Sequence, residues 1–170
     1  MTPAKRRNLL LRANRHLGAA LVDANFIKVS KLAAATERLL ELARSGPPRQ
    51  TTLLGVLAYE LKAVSEEDAL LHFAEEQGAG LVDLRECEVA EELRPALDPD
   101  ACWATWSLPF DREEGFTSIA TAHGLSVAVR NYWEKQFDGP ILWFGITLDG
   151  LADALEKIEA AAAEKTTARP

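Results

Sequence analysis

The side chains that could do acid–base or nucleophilic chemistry are scattered through this sequence. The three histidines, His16, His72 and His123, lie far apart, and the carboxylates that cluster at Glu66, Glu67 and Asp68 suit a helix cap. The chain contains no GxGxxG, HExxH or GxSxG pattern, and no glycine followed by the Lys-Ser or Lys-Thr of a phosphate-binding loop. The sequence therefore predicts a protein that is not an enzyme and holds no metal or cofactor.

Positive charge is the second chemical feature, and it is concentrated at the start of the chain. Residues 1–50 contain ten Lys or Arg against three acids, a formal charge of +7, whereas the remainder carries −14. Such asymmetry suggests an anionic ligand or an acidic protein partner for the first third. The candidate docking residues are Arg12, Arg15, Lys28, Lys31 and Arg38. The alternative is that these charges only solvate a helix face, and the acidic whole argues against a nucleic acid polymer.

The elements that carry this charge are two helical hairpins. Apolar residues recur at three- and four-residue steps over 4–24 and 29–44, and Gly46-Pro47-Pro48 ends the second helix. Thr51 or Thr52 can cap a third helix, and Ser65 can cap a fourth that ends at Gly78. The pairs Leu17-Gly18 and Leu54-Gly55 each open one hairpin, so the segment reads as a loose tandem repeat.

Beyond Gly80 the pattern changes to short strands and helices. We expect strands over 81–84, 104–110, 116–122 and 140–146, and helices near 90–97, over 125–137 and over 148–163. The segments 104–110 and 116–122 flank an Asp111–Gly115 turn and should pair as a hairpin. Most of the tryptophans, all of which lie in this half, are expected in the core.

These expectations define an α+β protein with two lobes. Residues 1–80 form a helical-hairpin lobe of about four helices, 81–165 form a small α/β lobe with a three- to four-stranded sheet and two helices, and 166–170 form a frayed tail. No apolar run is long enough to span a bilayer, the start does not read as a signal peptide, and Cys87 and Cys102 lack metal-type spacing. A cytoplasmic protein with reduced thiols and no membrane insertion is predicted.

The order of short motifs resembles the N-terminal domain of type II secretion and type IV pilus assembly ATPases. The likeness covers nearly the whole chain: Leu54-Gly55, then 65–70, Gln77, Leu81-Val82-Asp83-Leu84, Ser107–Phe110 and Glu113-Glu114-Gly115. The resemblance implies a helical-hairpin region followed by a small α/β lobe, as a stand-alone copy without the ATPase motor. It also implies a regulatory or adaptor role with a partner from secretion, pilus or motility machinery.

Some members of that family bind cyclic di-GMP through two copies of a motif resembling RLGxxLVxxGLIxxxxLxxxLxxQ. The resemblance implies a ligand site at the motif positions His16, Leu17, Gly18, Leu54, Gly55 and Gln77. Arg12 and Arg15, which lie one turn before and just beside the first of these positions, are candidates for a rearranged anion site. The chain departs from the motif at both arginines, which are replaced by His16 and Leu53, and at the second glycines, replaced by Asn25 and Lys62. Neither histidine nor leucine reproduces the paired hydrogen bonds of an arginine.

Three hypotheses follow. The leading one is a non-enzymatic adaptor that docks a protein partner, and the alternative is a cyclic-di-GMP receptor that regulates such machinery. The third is self-association, in which the +7 segment of one copy meets the −14 body of another.

Overall fold

The computed structural model describes residues 1–168, and these residues contain seven α-helices around a four-stranded sheet. The helices are α1 (Pro3–Asp23), α2 (Val29–Ser45), α3 (Leu53–Gly55, continued by a π-helical turn over Val56–Glu60), α4 (Glu66–Gln77), α5 (Pro99–Thr105), α6 (Val127–Glu134) and α7 (Leu148–Thr167). The strands are β1 (Gly80–Leu81), β2 (Ser107–Glu113), β3 (Phe116–Thr121) and β4 (Ile141–Gly145). Short 3₁₀-helices occupy Pro48–Gln50 and Arg94–Ala96. The predicted α+β class is confirmed.

The four N-terminal helices begin and end where local sequence chemistry places them. Thr2 caps α1 through a hydrogen bond from the backbone N–H of Lys5, with Pro3 in the first helical position. Thr52 caps α3 and Ser65 caps α4, as predicted. Gly78 ends α4 in the left-handed conformation (φ 59°), which only glycine adopts without steric cost.

The sheet has the order β1-β4-β3-β2. Strands β2 and β3 form the predicted antiparallel hairpin, while β4 pairs in parallel with both β3 and β1. The register of the hairpin shifts between Pro109 and Asp111, a bulge beside a proline on an edge strand. An edge position suits Pro109, because proline has no N–H to give to a neighbouring strand.

The second half departs from the sequence expectation at three elements. The expected strand over 104–110 begins only at Ser107, because residues up to Thr105 form helix α5, which Asp98 caps. The expected helix near 90–97 is reduced to the single 3₁₀ turn Arg94–Ala96, and the expected strand over 81–84 is reduced to Gly80–Leu81. All residues from Ala101 to Pro109 are buried, so hydrophobic periodicity could not separate helix from strand there.

One hydrophobic core runs through both halves of the chain. It includes Leu17 and Leu57 from the hairpins together with Trp106, Ile119 and Leu151 from the second half. Trp103, Trp106 and Trp133 are buried and Trp143 is half-buried. Helix α7 continues through Thr167 into the expected tail, while residues 169–170 of that tail lie outside the described residues.

Buried hydrogen bonds also join the two halves. The indole Nε1 of Trp106 donates to the carbonyl of Thr51 (3.1 Å), and the Ser126 hydroxyl donates to the carbonyl of Ala13 (2.7 Å). A third buried bond, of 2.9 Å, links Thr52 Oγ1 with Nε2 of His123. The start of the second hairpin is therefore held directly by the α/β half.

Candidate functional site

Both Leu-Gly pairs of the repeat lie where helices pack. Leu17 is 1% exposed, and a Cβ on Gly18 would lie 2.5 Å from Cδ1 of Leu32 and 3.0 Å from Cδ2 of Leu53. Leu54 is 3% exposed, and a Cβ on Gly55 would lie 2.7 Å from Cγ2 of its capping residue Thr52. Gly18 thus permits close approach of α1, α2 and the start of α3, whereas Gly55 makes room for the side chain of its own capping threonine.

The backbone repeats more faithfully than the side chains. Asn25 (φ 60°) and Lys62 (φ 49°), the two residues aligned with the motif's second glycine, both adopt the left-handed conformation. Each sits where a helix turns back into its hairpin: the N–H of Phe26 bonds to the carbonyl of Leu21, and the N–H of Ala63 to that of Leu57. Among non-glycine residues, asparagine tolerates the left-handed conformation comparatively well, whereas lysine is disfavoured in it. Both hairpins therefore keep the left-handed backbone conformation although neither position carries a glycine.

A buried asparagine connects the two hairpins. Asn14 on α1 is 1% exposed, and its Oδ1 accepts a 2.9 Å hydrogen bond from the backbone N–H of Leu53. Its Nδ2 donates to the carbonyl of Leu10 at 2.8 Å. Leu53 occupies the position of the second motif arginine and is itself 1% exposed. A core leucine thus stands where the motif has a cation.

The polar residues of the predicted ligand set lie apart from these buried pairs. Arg12 and Arg15 are exposed on α1, His16 is half-buried, and Gln77 is exposed at the last residue of α4. A small cavity beside Leu17 and Leu54 has a volume of about 10 Å³, room for no more than one water molecule. None of these four polar residues lines that cavity.

The predicted docking residues divide into two kinds. Arg38 is engaged, since its guanidinium donates to Glu60 and Glu41 at 3.0 Å each, and these bonds, the one to Glu60 first, raise its pKa. Arg12, Arg15, Lys28 and Lys31 are exposed, and within residues 1–168 none of them forms an ion pair. We call these four residues the basic surface.

Two residues of the basic surface, Arg15 and Lys31, lie near the point where α1 and α2 cross. Gly18 contacts Leu32 there, so that Arg15 lies one helical turn before the crossing on α1 and Lys31 directly beside it on α2. Lys28 is the N-cap residue of α2 and Lys31 lies in its first turn, which contains no acid. Cations at a helix N-terminus oppose the helix dipole, so helix stability does not account for them.

Sequence reasoning did not single out His123 as a structural residue. The imidazole is completely buried, Nδ1 has no hydrogen-bond partner, and burial lowers its pKa to about 3. His123 is therefore neutral at physiological pH. His123 pairs with Thr52 across 71 residues of sequence. Because this contact is long-range, no local sequence pattern indicates it.

Neither a metal-binding cluster nor a membrane-spanning helix is found in the part of the chain that the structure describes. Residues 1–168 contain no group of three or more His, Cys, Asp or Glu side chains placed to hold a metal ion. Over the same residues, no helix combines the length and the apolar character that crossing a membrane requires. Both cysteines are free thiols, Cys87 exposed and Cys102 buried.

Comparison with known proteins identifies the fold. No protein-family model and no curated protein matches the chain. The N-terminal domain of XpsE matches at 22% identity and a TM-score of 0.57, over 85% of this chain and 94% of that one. A second crystal form of the same domain matches at 22% identity and a TM-score of 0.51, over 81% and 90%. A structure of MshE with cyclic di-GMP matches at 20% identity and a TM-score of 0.52, over 84% and 97%.

The chain therefore has the fold of the N-terminal domains of type II secretion and pilus ATPases. The resemblance seen in the order of sequence motifs is confirmed at this level. These domains are not the catalytic part of such ATPases.

Proposed function

We propose that this protein is a non-enzymatic regulatory or adaptor module that docks an acidic protein partner through the basic surface. The observation that carries the proposal is four exposed cations of the first helical hairpin without acid partners among the described residues, on a chain whose residues beyond 50 carry −14. The fold supports this role, since it occurs in domains attached to a motor and separate from its catalytic centre. The partner we propose is a cytoplasmic component of secretion, pilus or motility machinery.

The placement of Lys28 and Lys31 supports a binding role over simple solvation. Each cation near a helix N-terminus costs about 0.3–1 kcal/mol of helix stability at low ionic strength. An acidic surface docked over the start of α2 would neutralise them, as an acidic first-turn residue does in most helices. Arg38, already bonded to Glu41 and Glu60, would contribute less.

Charge reversal tests the proposal. We expect Arg12→Glu/Lys31→Glu to weaken partner capture from lysate of the native host by roughly 5- to 30-fold, because two attractive exposed contacts of about 0.2–1 kcal/mol each become repulsive. The triple variant that adds Arg15→Glu should weaken it further. Bound proteins are identified by mass spectrometry.

The matched control is Arg112→Glu/Lys135→Glu. It changes the net charge by the same amount at two exposed cations of the α/β half, neither of which forms an ion pair in the described chain. Capture of the same partner should survive this change. Equal loss in both double variants would reject the basic surface and indicate a nonspecific response to net charge.

A second candidate function is cyclic-di-GMP binding in the helical half. Two observations favour it: the match to MshE with this ligand, and the left-handed corners at Asn25 and Lys62 that keep the motif's hairpin geometry. The replaced arginines oppose it. Two lost charge-assisted contacts at about 1.5–3 kcal/mol each would remove much of a micromolar affinity of about 8 kcal/mol. Arg12 and Arg15 would have to supply the lost cations, with His16 and Gln77 as further polar contacts.

Titration calorimetry distinguishes the two functions. Heat that saturates with cyclic di-GMP below about 100 μM, and that is lost in Arg12→Ala/Arg15→Ala, would support the receptor. Absence of heat over that range would exclude it and leave the adaptor as the function to pursue.

A further inference from the structure

The second half of the chain has a concavity that no residue of the repeat lines. A groove of about 450 Å³ opens between the C-terminal half of α7, strand β2 and the segment 84–97. Its lining is mainly apolar and includes Leu84, Val89, Leu97, Leu108, Phe110 and Ile158. The polar side chains that line it are Cys87, Glu88, Arg94, Lys157 and Lys165. A groove of this size and composition is suited to a binding partner.

Helix α7 is packed only along its first half. Its buried residues end at Leu155, Ile158 is half-buried, and residues 159–168 are exposed. The exposed part contains the run Ala160–Ala163, two of whose residues, Ala161 and Ala162, line the groove. Small side chains on a helix let a second helix approach closely. One wall of the groove is thus a helix face without a partner in the described chain.

One Lys–Glu pair of this half-helix is placed symmetrically about its centre. Residues 156–165 are Glu-Lys-Ile-Glu-Ala-Ala-Ala-Ala-Glu-Lys. If two copies lie antiparallel about a centre between Ala160 and Ala161, each Lys157 faces Glu164 of the other copy, while Glu156 stays bonded to Arg49 of its own chain. Lys157 and Glu164 are seven residues apart and therefore lie on one stripe of the helix. Neither forms an ion pair among the described residues.

We propose that the groove receives a second copy of this chain. Two α7 helices pack antiparallel about a two-fold axis, so that the alanine face of each one covers the groove of the other. A two-fold interface must be self-complementary, and the symmetric placement of Lys157 and Glu164 meets that requirement. This inference goes beyond the docking function proposed above, because it uses a different surface and a different partner.

The expected interface is small. It involves about three turns of helix on each side, which places it with the weak interfaces that bury less than about 1,200 Å². We therefore expect a reversible dimer that forms in the micromolar range or above, and that weakens as salt screens its two ion pairs. Reversibility would let the groove open at low concentration.

A charge swap tests the geometry directly. Sedimentation velocity on the full chain, from about 10 to about 500 μM, should show a monomer–dimer equilibrium, as expected of a weak interface. Either Lys157→Glu or Glu164→Lys should raise the dissociation constant about 4- to 30-fold, because two attractive pairs become repulsive. Combining both substitutions inverts both pairs at once and should restore the dimer. Lys135→Glu, at the residue that follows α6, is the matched control and should leave the equilibrium unchanged.

Three outcomes would overturn the proposal: a monomer throughout the concentration range, a dimer indifferent to Lys157→Glu, or a charge swap that fails to restore association. Far-UV circular dichroism shows whether each variant keeps its helices. Titration with laurate covers another occupant, since a monomer that binds this anionic amphiphile at the groove would also overturn the proposal. Partner capture by the basic surface is a separate readout, so either proposal can fail while the other stands.

Discussion

The most direct test of how the two hairpins are joined is removal of the Asn14 amide. Asn14 accepts the backbone N–H of Leu53, the first residue of α3. The first N–H groups of a helix have no partner within it, and this one is buried with its residue. We expect Asn14→Ala to leave the Leu53 N–H unpaired in an apolar surrounding.

The size of the effect follows from that orphaned donor. Removing one partner of a buried hydrogen bond costs about 1–3 kcal/mol, because the remaining group is desolvated without compensation. For a domain of this size the midpoint of thermal unfolding moves by about 2–4 °C per kcal/mol. The matched control is Thr36→Ala, which removes an exposed hydroxyl that donates to the carbonyl of Leu32 at 2.8 Å. Its cost should stay within about 0.5 kcal/mol.

Chemical denaturation and amide hydrogen exchange together check this expectation. Asn14→Ala should lower the free energy of unfolding by about 1–3 kcal/mol, and the Leu53 amide should lose protection more than the amide of Leu57 one turn later. If Asn14→Ala is no more destabilising than Thr36→Ala, the buried amide does not hold the second hairpin and the reasoning fails.

Three further predictions concern titration, backbone conformation and thiol reactivity. The buried His123 has a pKa lowered to about 3, against 6.5 in the unfolded chain. It therefore contributes stability that is complete above pH 6.5 and is lost as pH falls towards 3. Urea midpoints should drop between pH 7 and 5, and His123→Gln should reduce this dependence on pH. Lys62→Gly should raise the free energy of unfolding by about 0.5–1 kcal/mol, because it removes left-handed backbone strain of about 1–2 kcal/mol, part of which is offset by the greater conformational entropy of glycine in the unfolded chain. Asn25→Gly should stabilise the protein less, and destabilisation by Lys62→Gly would contradict this reasoning. Ellman's reagent should titrate one thiol in the native protein, that of exposed Cys87, because Cys102 is buried and burial raises its pKa; rapid reaction of two thiols would contradict the placement of Cys102.

Local chemistry made the hairpin half readable from sequence. The caps Thr52 and Ser65 and the Pro47-Pro48 stop act within a few residues of themselves, so their consequences can be seen in a short window. The pairing of β2 with β3 is also local, across a turn that contains Gly115. The fold family was recognised because the order of such short motifs survives.

Long-range packing set the limits of that reading. The sequence pattern did not predict helix α5, because its residues 101–105 are all buried and therefore show no hydrophobic periodicity. The parallel insertion of β4 between β1 and β3, and the pairs Asn14–Leu53 and Thr52–His123, join residues 24 or more positions apart. At the candidate site, sequence could identify the cations, but only the structure shows that Arg38 is already engaged while Arg12, Arg15, Lys28 and Lys31 are not.

The buried bonds between the two halves have a consequence for how this molecule could transmit a signal. Thr51 and Thr52 are held by Trp106 and His123, and Ala13, on the helix that bears Arg12 and Arg15, is held by Ser126 at the start of α6. Buried hydrogen bonds thus connect the helices that carry the basic surface to the α/β half, and such bonds tolerate little displacement. A partner that tilts α1 would strain these bonds, and the sheet would have to follow as one piece. We therefore expect the two halves to move as one piece when a partner binds, without a hinge between them.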